Sequence, residues 1–138
     1  MGNTSAIAKN LRAAGLRPTE QRIALYRLLF AAGHRHVTAE ELHAEVLANG
    51  IILSVATIYN ALNDFTQAGL VRILAVEGAR TWFDTNTADH HHFYLEGAGE
   101  IRDIDSNKIS IAHIPEPPEG FEIANVDVII RVRPAAES

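Results

Sequence analysis

Residues 54–84, SVATIYNALNDFTQAGLVRILAVEGARTWFD, change their hydrophobic period partway along. In the first half Val55, Ile58, Leu62 and Phe65 recur at helical spacing behind Ser54, a residue type that caps helix starts with its hydroxyl. Gly69 ends that run. In the second half the side chains alternate instead. LVRILAV (70–76) and ARTWFDT (79–85) read as two strands, with Glu77-Gly78 as the tight turn between them. A helix that passes at once into a hairpin is the closing half of a winged helix-turn-helix, with Ser54 to Ala68 as the recognition helix.

The upstream sequence supplies the helices this reading needs. Thr4 to Ala14 carries Ile7 and Leu11 and stops at Gly15. Thr19 caps a helix from Glu20 to Ala32, whose apolar face holds Ile23, Leu25, Leu28 and Leu29, and Gly33 stops it. Thr38 and Glu41 have capping-box spacing ahead of a third helix, with Leu42, Val46 and Leu47 as its expected buried stripe. Downstream, HHFYLEG (91–97), EIRDID (100–105) and FEIANVDVIIRVR (121–133) read as strands. The stretch between the last two, 107–120, has room for only a turn or two of helix, because Pro115, Pro117 and Pro118 interrupt it. The expected fold is therefore α+β: a winged-helix DNA-binding domain over 1–86, a hinge at 87–90, and a small α/β dimerisation and ligand-sensing domain over 91–138. A three-stranded sheet this small leaves apolar surface uncovered, and a homodimer is the expected remedy.

Composition narrows the function classes. Of 138 residues 47% are hydrophobic, enough for a core, and none is cysteine. Disulfides, thiolate metal sites and cysteine nucleophiles are thereby excluded. No apolar run is long enough to span a membrane, and the start has no signal-peptide pattern, so a cytoplasmic setting is expected. The net charge of -5 is unevenly placed. Residues 1–36 hold six lysines and arginines against Glu20 alone, whereas residues 89–138 hold ten acids against four bases. The first end suits phosphate and the second does not.

Candidate DNA contacts follow from the recognition helix. Ser54, Ala56, Thr57, Tyr59 and Asn60 lie near its start and off its buried face. Ser54 and Thr57 suit a phosphate, Tyr59 a phosphate or a thymine methyl, and Asn60 the N6 and N7 of adenine. Arg12, Arg17 and Arg22 are candidates for backbone or minor-groove contacts.

The histidines mark a second site. In DHHHFY (89–94) strand alternation sends His90 and His92 to one face and His91 to the other. His36 precedes the third helix, Asp84 ends the wing and Asp103 ends a strand. A folded hinge that gathers His36, Asp84, His90, His92 and Asp103 offers nitrogen and carboxylate ligands suited to Mn²⁺, Fe²⁺ or Zn²⁺. Asp89, His91 and His113 are candidates for a second site.

Taken together, LRAAGLRPTEQRIALYRLL, HRHVTAEELHAEV, SVATIYNALNDFTQAGLV, the wing EGARTWFDT and the DHHHFY run before LEGAGEIRDID resemble the ferric uptake regulator family, from about Leu11 to Arg133. The resemblance implies a homodimer on palindromic double-stranded DNA and a regulatory divalent metal, with the sensor ligands falling on the same five residues and the recognition tyrosine on Tyr59. Three departures stand out. The cysteine pair that often holds a structural zinc falls on Leu95 and Ala98, so no structural zinc held by four cysteines is expected. A second histidine-rich site falls on Ser110 and Val126 and is incomplete. The arginine common after the tyrosine is Asn60. The HHHFY run and the short proline-broken connection are most similar to the iron response regulator branch, which brings in haem with His91, and also His113, as its candidate ligands. The implied function is a regulator, mainly a repressor, of iron and haem homeostasis. Peroxide, manganese and zinc sensing stay open within the family. Outside it, a metal hydrolase and a metal or haem storage protein stay open; phosphoester turnover would mark the first, and ligand binding without duplex binding the second.

Overall fold

In the computed structural model, which describes residues 4–74, 80–88 and 90–136, the chain divides between Thr87 and Ala88 into two units. The first contains α1 (Thr4–Ala13), α2 (Glu20–Phe30), β1 (His36–Thr38), α3 (Ala39–Ala48), α4 (Val55–Gln67), β2 (Arg72–Leu74) and β3 (Trp82–Asp84). Three of these helices begin where a hydroxyl caps them. Thr19 accepts from the Arg22 amide, Ser54 from the Thr57 amide, and Thr38 exchanges reciprocal hydrogen bonds with Glu41. The stop after α4 depends on Gly69, at φ +80°, where any other residue type except asparagine is strained. The turn it makes lets the Leu70 amide reach back to the Phe65 carbonyl at 2.9 Å and sends the chain into the sheet.

The core of this unit is built from Leu11, Leu25, Leu29, Leu42, Ile58, Leu62, Phe65 and Phe83, all fully buried. Two residues of the expected apolar faces do not join it. Leu47 is 50% exposed and Val55 37% exposed. Leu47 sits about 100° around the helix from Val46 and so off the face that Leu42 and Val46 share. Val55 opens α4, at the rim of the core.

The wing has three strands, in the order β1-β3-β2, and all pairing is antiparallel. β1 went unforeseen because its last residue, Thr38, doubles as the N-cap of α3, and three residues carry no readable period. The turn expected at Glu77-Gly78, and the ends of the two strands flanking it, lie outside the described residues. A fork of hydrogen bonds ties the start of β1 to α3: Arg35 Nη1 and Nη2 donate to Glu45 Oε1 and Oε2 at 2.8 and 2.5 Å. On the other flank Thr85 and Arg35 exchange backbone and hydroxyl hydrogen bonds that prolong the β1–β3 ladder.

The second unit contains β4 (His91–Leu95), β5 (Glu100–Ile104), a single 3₁₀ turn (Ser106–Lys108) and β6 (Ile129–Val132). The sheet order is β5-β4-β6, antiparallel on one side of β4 and parallel on the other. Here the long strand expected over 121–133 shrinks to Ile129–Val132. Phe121 and Ile123 keep the alternating pattern but are 74% and 48% exposed, and among the described residues no strand pairs with them. An alternating pattern without a ladder partner does not make a strand. Among the described residues of this unit helix is limited to the 3₁₀ turn, in keeping with the prolines that follow it.

The Arg35–Glu45 fork makes stability depend on pH. The hydrogen bond from Arg35 holds the Glu45 carboxyl below its ordinary range, ahead of the opposing effect of burial. A carboxyl depressed on folding stabilises the folded state above its unfolded pKa, and that contribution is lost as pH falls through the folded pKa. The pair is partly solvent-screened, so the effect is at most about 1 kcal/mol. Glu45→Gln is expected to melt below the parent at neutral pH, and the two melting curves are expected to converge below the carboxylate range. Equal melting temperatures at pH 7 would show that the fork contributes nothing.

Candidate functional site

The antiparallel register assembles the donor residues in each unit. In the wing, His36 and Asp84 are direct cross-strand partners, with Nε2 and Oδ2 3.6 Å apart. The Asp84 side chain is 1% exposed, and its Oδ1 accepts from the Asn86 amide at 2.9 Å. Arg72 stands opposite Asp84 on the other neighbouring strand.

In the second unit the same device recurs. His92 on β4 is the cross-strand partner of Asp103 on β5. His90, just ahead of β4, falls on the same side as His92 by alternation. The two Nε2 atoms lie 2.9 Å apart, and Asp103 Oδ1 lies 3.3 Å from one and 3.4 Å from the other. His90 Nδ1 sits 2.7 Å from the Ala88 carbonyl, which can only accept, so that nitrogen carries the proton. In a neutral ring Nε2 then presents its lone pair toward His92 and Asp103. A ring lone pair and a carboxylate converging on the His92 Nε2 need a proton or a cation among them. Two imidazoles and carboxylate oxygens, with no sulfur, fit Mn²⁺, Fe²⁺ or Zn²⁺. A backbone carbonyl that fixes the tautomer is the usual outer support of a metal-binding histidine.

The other histidines are placed differently. His91 faces the opposite side of β4, and its Nδ1 accepts from the Val128 amide at 3.0 Å. His113 is exposed in the irregular stretch ahead of β6. Neither belongs to a cluster of three or more ligating side chains among the described residues. Asp89 lies outside the described residues.

The candidate nucleic-acid contacts gather around α4. Ser54, Ala56 and Asn60 are exposed, Thr57 is half-buried, and Tyr59 sets its ring edge-on to Phe83 at 6.0 Å while staying 39% exposed. Arg12 and Arg17 are exposed; Arg22 is half-buried and ion-paired with Asp64 at 3.1 Å. Arg17, Arg22, Thr57, Asn60 and Asp64 line one concave surface. Asp64, Arg72 and the Arg35–Glu45 fork escaped sequence reasoning. Each owes its role to a partner on another element, and the spacing of charges along the chain carries no signal of that.

Comparisons with known proteins fit this geometry. The ferric uptake regulator family matches residues 13–131. Peroxide-responsive repressor PerR of Staphylococcus aureus, in strains Mu50 and USA300, is 40% identical over 95 residues. That alignment covers 69% of this chain and 64% of the repressor, so the chain matches just under two thirds of its relatives' length. Among solved structures, the ferric uptake regulator of Pseudomonas aeruginosa with manganese superposes with a TM-score of 0.73 at 25% identity, covering 94% of this chain and 98% of that one. The Vibrio cholerae ferric uptake regulator gives 0.72 at 23% identity, covering 91% and 98%, which bears on the fold alone. With the family matched over residues 13–131 of this chain, and the winged helix and histidine–aspartate pairs in place, the chain belongs to the ferric uptake regulator family.

Proposed function

We propose that this chain is a homodimeric, metal-dependent transcriptional repressor whose signal is peroxide. The observation that carries the reading is the pair of cross-strand histidine–aspartate sets, one in each unit. His36 and Asp84 are too few donors for a manganous or ferrous ion, which takes about six ligands. His90, His92 and Asp103 form a two-histidine, one-carboxylate set, the pattern that suits ferrous iron with open positions. A single ion held by both sets would have nitrogen and carboxylate donors of the kind such ions take. Ferrous iron, when bound, would supply a centre that peroxide can oxidise. These residues would hold the ion, with the His90 Nε2 lone pair kept available by the bond from Nδ1 to the Ala88 carbonyl. An ion that needs donors from both units favours one DNA-competent arrangement, which is how ligand binding is coupled to DNA affinity.

The relatives at 40% identity are peroxide-responsive repressors, which supports peroxide over the iron and haem reading of the iron response regulator branch. The manganese-bound ferric uptake regulator at 25% identity supports a divalent ion at the sensor. Family membership sets the hydrolase reading aside. Among the described residues no helix is long and apolar enough to cross a membrane. α4 would enter the major groove of a palindromic operator, with Ser54, Ala56, Thr57, Tyr59 and Asn60 facing it and Arg12 and Arg17 on phosphates. Exposed Ile111, Ile114, Phe121, Ile123 and Ile130 leave the second unit apolar surface that a second copy would cover.

Four measurements test these readings. Titration calorimetry of the metal-free protein with Mn²⁺ is expected to show one ion per chain. His90→Ala with His92→Ala is expected to weaken it by more than the roughly 10–100-fold that loss of an outer-shell partner costs. Asp84→Ala is expected to weaken the same binding event, and unchanged Mn²⁺ affinity there would rule out a shared ion. Duplexes selected from a random pool are expected to be palindromic and bound tightly by both the Mn²⁺ and Fe²⁺ forms. Hydrogen peroxide should release only the Fe²⁺ form, and retention of both would remove peroxide as the signal. Arg17→Ala should weaken all duplexes alike and lower the salt slope by about one. Finally, sedimentation at micromolar concentration is expected to give dimers and Phe121→Asp a shift toward monomer; a monomeric parent protein would end the homodimer reading.

A further inference from the structure

Arg22 reaches from α2 toward α4 and is held at two points. Nη2 meets Asp64 Oδ2 at 3.1 Å, and Nη1 donates to the Arg17 carbonyl at 3.0 Å. A guanidinium has five N–H donors in one plane, so two anchors fix that plane while leaving donors over. The side chain is only 24% exposed, which is little for an arginine at a surface concavity. Thr57, Asn60 and Asp64 recur at helical spacing and share one face of α4. That face, with Arg17 and Arg22, lines the concave surface beside the start of the helix.

A phosphate contact does not need this arrangement. Phosphates accept any nearby cation, and an acid beside the cation opposes them. As a purely structural link between two helices, a half-exposed ion pair adds little. A guanidinium oriented by a carboxylate suits a different task, the bidentate pairing with O6 and N7 of guanine, where plane and angle decide the energy. Because its ordering cost is met within the free protein, more of the contact energy remains for discrimination.

We propose that Arg22, held in place by Asp64, reads a guanine in each half of the operator. It thereby supplies a guanidinium, which α4 itself lacks, and Asp64 acts as the positioning residue. The inference rests on the DNA-binding reading above and assigns one of its base contacts.

Selection of duplexes from a random pool, with the full chain and Mn²⁺, tests it. The parent protein is expected to enrich a palindrome with a guanine in each half, and replacing that guanine should cost about tenfold or more. Substituting 7-deazaguanine there removes the N7 acceptor and should cost a comparable factor without altering the protein. Arg22→Lys keeps the charge but not the fork, and Asp64→Asn keeps the shape but not the charge. In both variants discrimination at that position should fall to about twofold, because the duplex with the guanine loses more affinity than the duplex without it. Arg22→Lys that keeps the full base preference, or an indifferent response to 7-deazaguanine, would overturn the guanine contact. Asp64→Asn with an unaltered preference would overturn the positioning role. A parent that enriches no duplex would overturn the DNA-binding reading and this inference together; a parent that enriches a palindrome lacking any such guanine would overturn this inference alone.

Discussion

A carboxylate with almost no exposure sits in the middle of the wing. Asp84 lies on β3, the central strand, with its side chain 1% exposed. Burying an ionised carboxylate without partners costs several kcal/mol, on the order of a small protein's entire stability. The register sets His36 opposite Asp84 on one strand, 3.6 Å away, and the Asn86 amide donates to its Oδ1, while Arg72 is its register partner on the other strand. A change of one residue in either pairing would turn these partners to the opposite face of the sheet. The sheet register and the placement of the donors are therefore the same fact. Phe83, next to Asp84 and fully buried, enforces it from the core side, because a slip would exchange an aromatic ring and a carboxylate.

The helical half of the fold was legible because its signals are local. Thr19, Thr38 and Ser54 cap helices in the structure, and Gly33, Gly50 and Gly69 follow their ends, each at positive φ. Strands were less legible, since a strand is defined by a partner elsewhere in the chain. β1 is too short to show alternation. Residues 121–128 alternate without forming a strand. The donor residues could be named from their types and from the alternation in DHHHFY. What could not be read was which histidine would face which aspartate, because cross-strand pairing fixes that. Asp64 was invisible as a functional residue for a similar reason: its role lies in Arg22, on another helix.

The second unit shows what replaces a structural metal when thiols are absent. Leu95 and Ala98, the positions where a cysteine pair would fall, line an apolar concavity with Val132 and Pro134. The adjoining backbone is closed by pairing: Leu95 stands opposite Val132, and the Glu96 amide donates to the Val132 carbonyl at 2.8 Å. Arg131 then crosses the Tyr94 ring at 5.2 Å and donates to Glu96 at 2.9 Å. Apolar contact and a ladder hold this corner, so it carries none of the oxidation chemistry of a thiolate site.

The parallel pairing of β4 with β6 has a consequence for synthesis on the ribosome. The core of the first unit draws only on residues up to Phe83 and can form as soon as they emerge. The strand that carries His91 and His92 is finished on one edge by Ile129–Val132, and the Val128 amide and carbonyl meet His91 and His92 directly. For an interval during translation, therefore, the first unit can form while the three-stranded sheet of the second still lacks one edge strand. A nonsense mutation shortly before codon 128 would make that interval permanent, releasing a winged helix with its histidine strand unpaired on one edge.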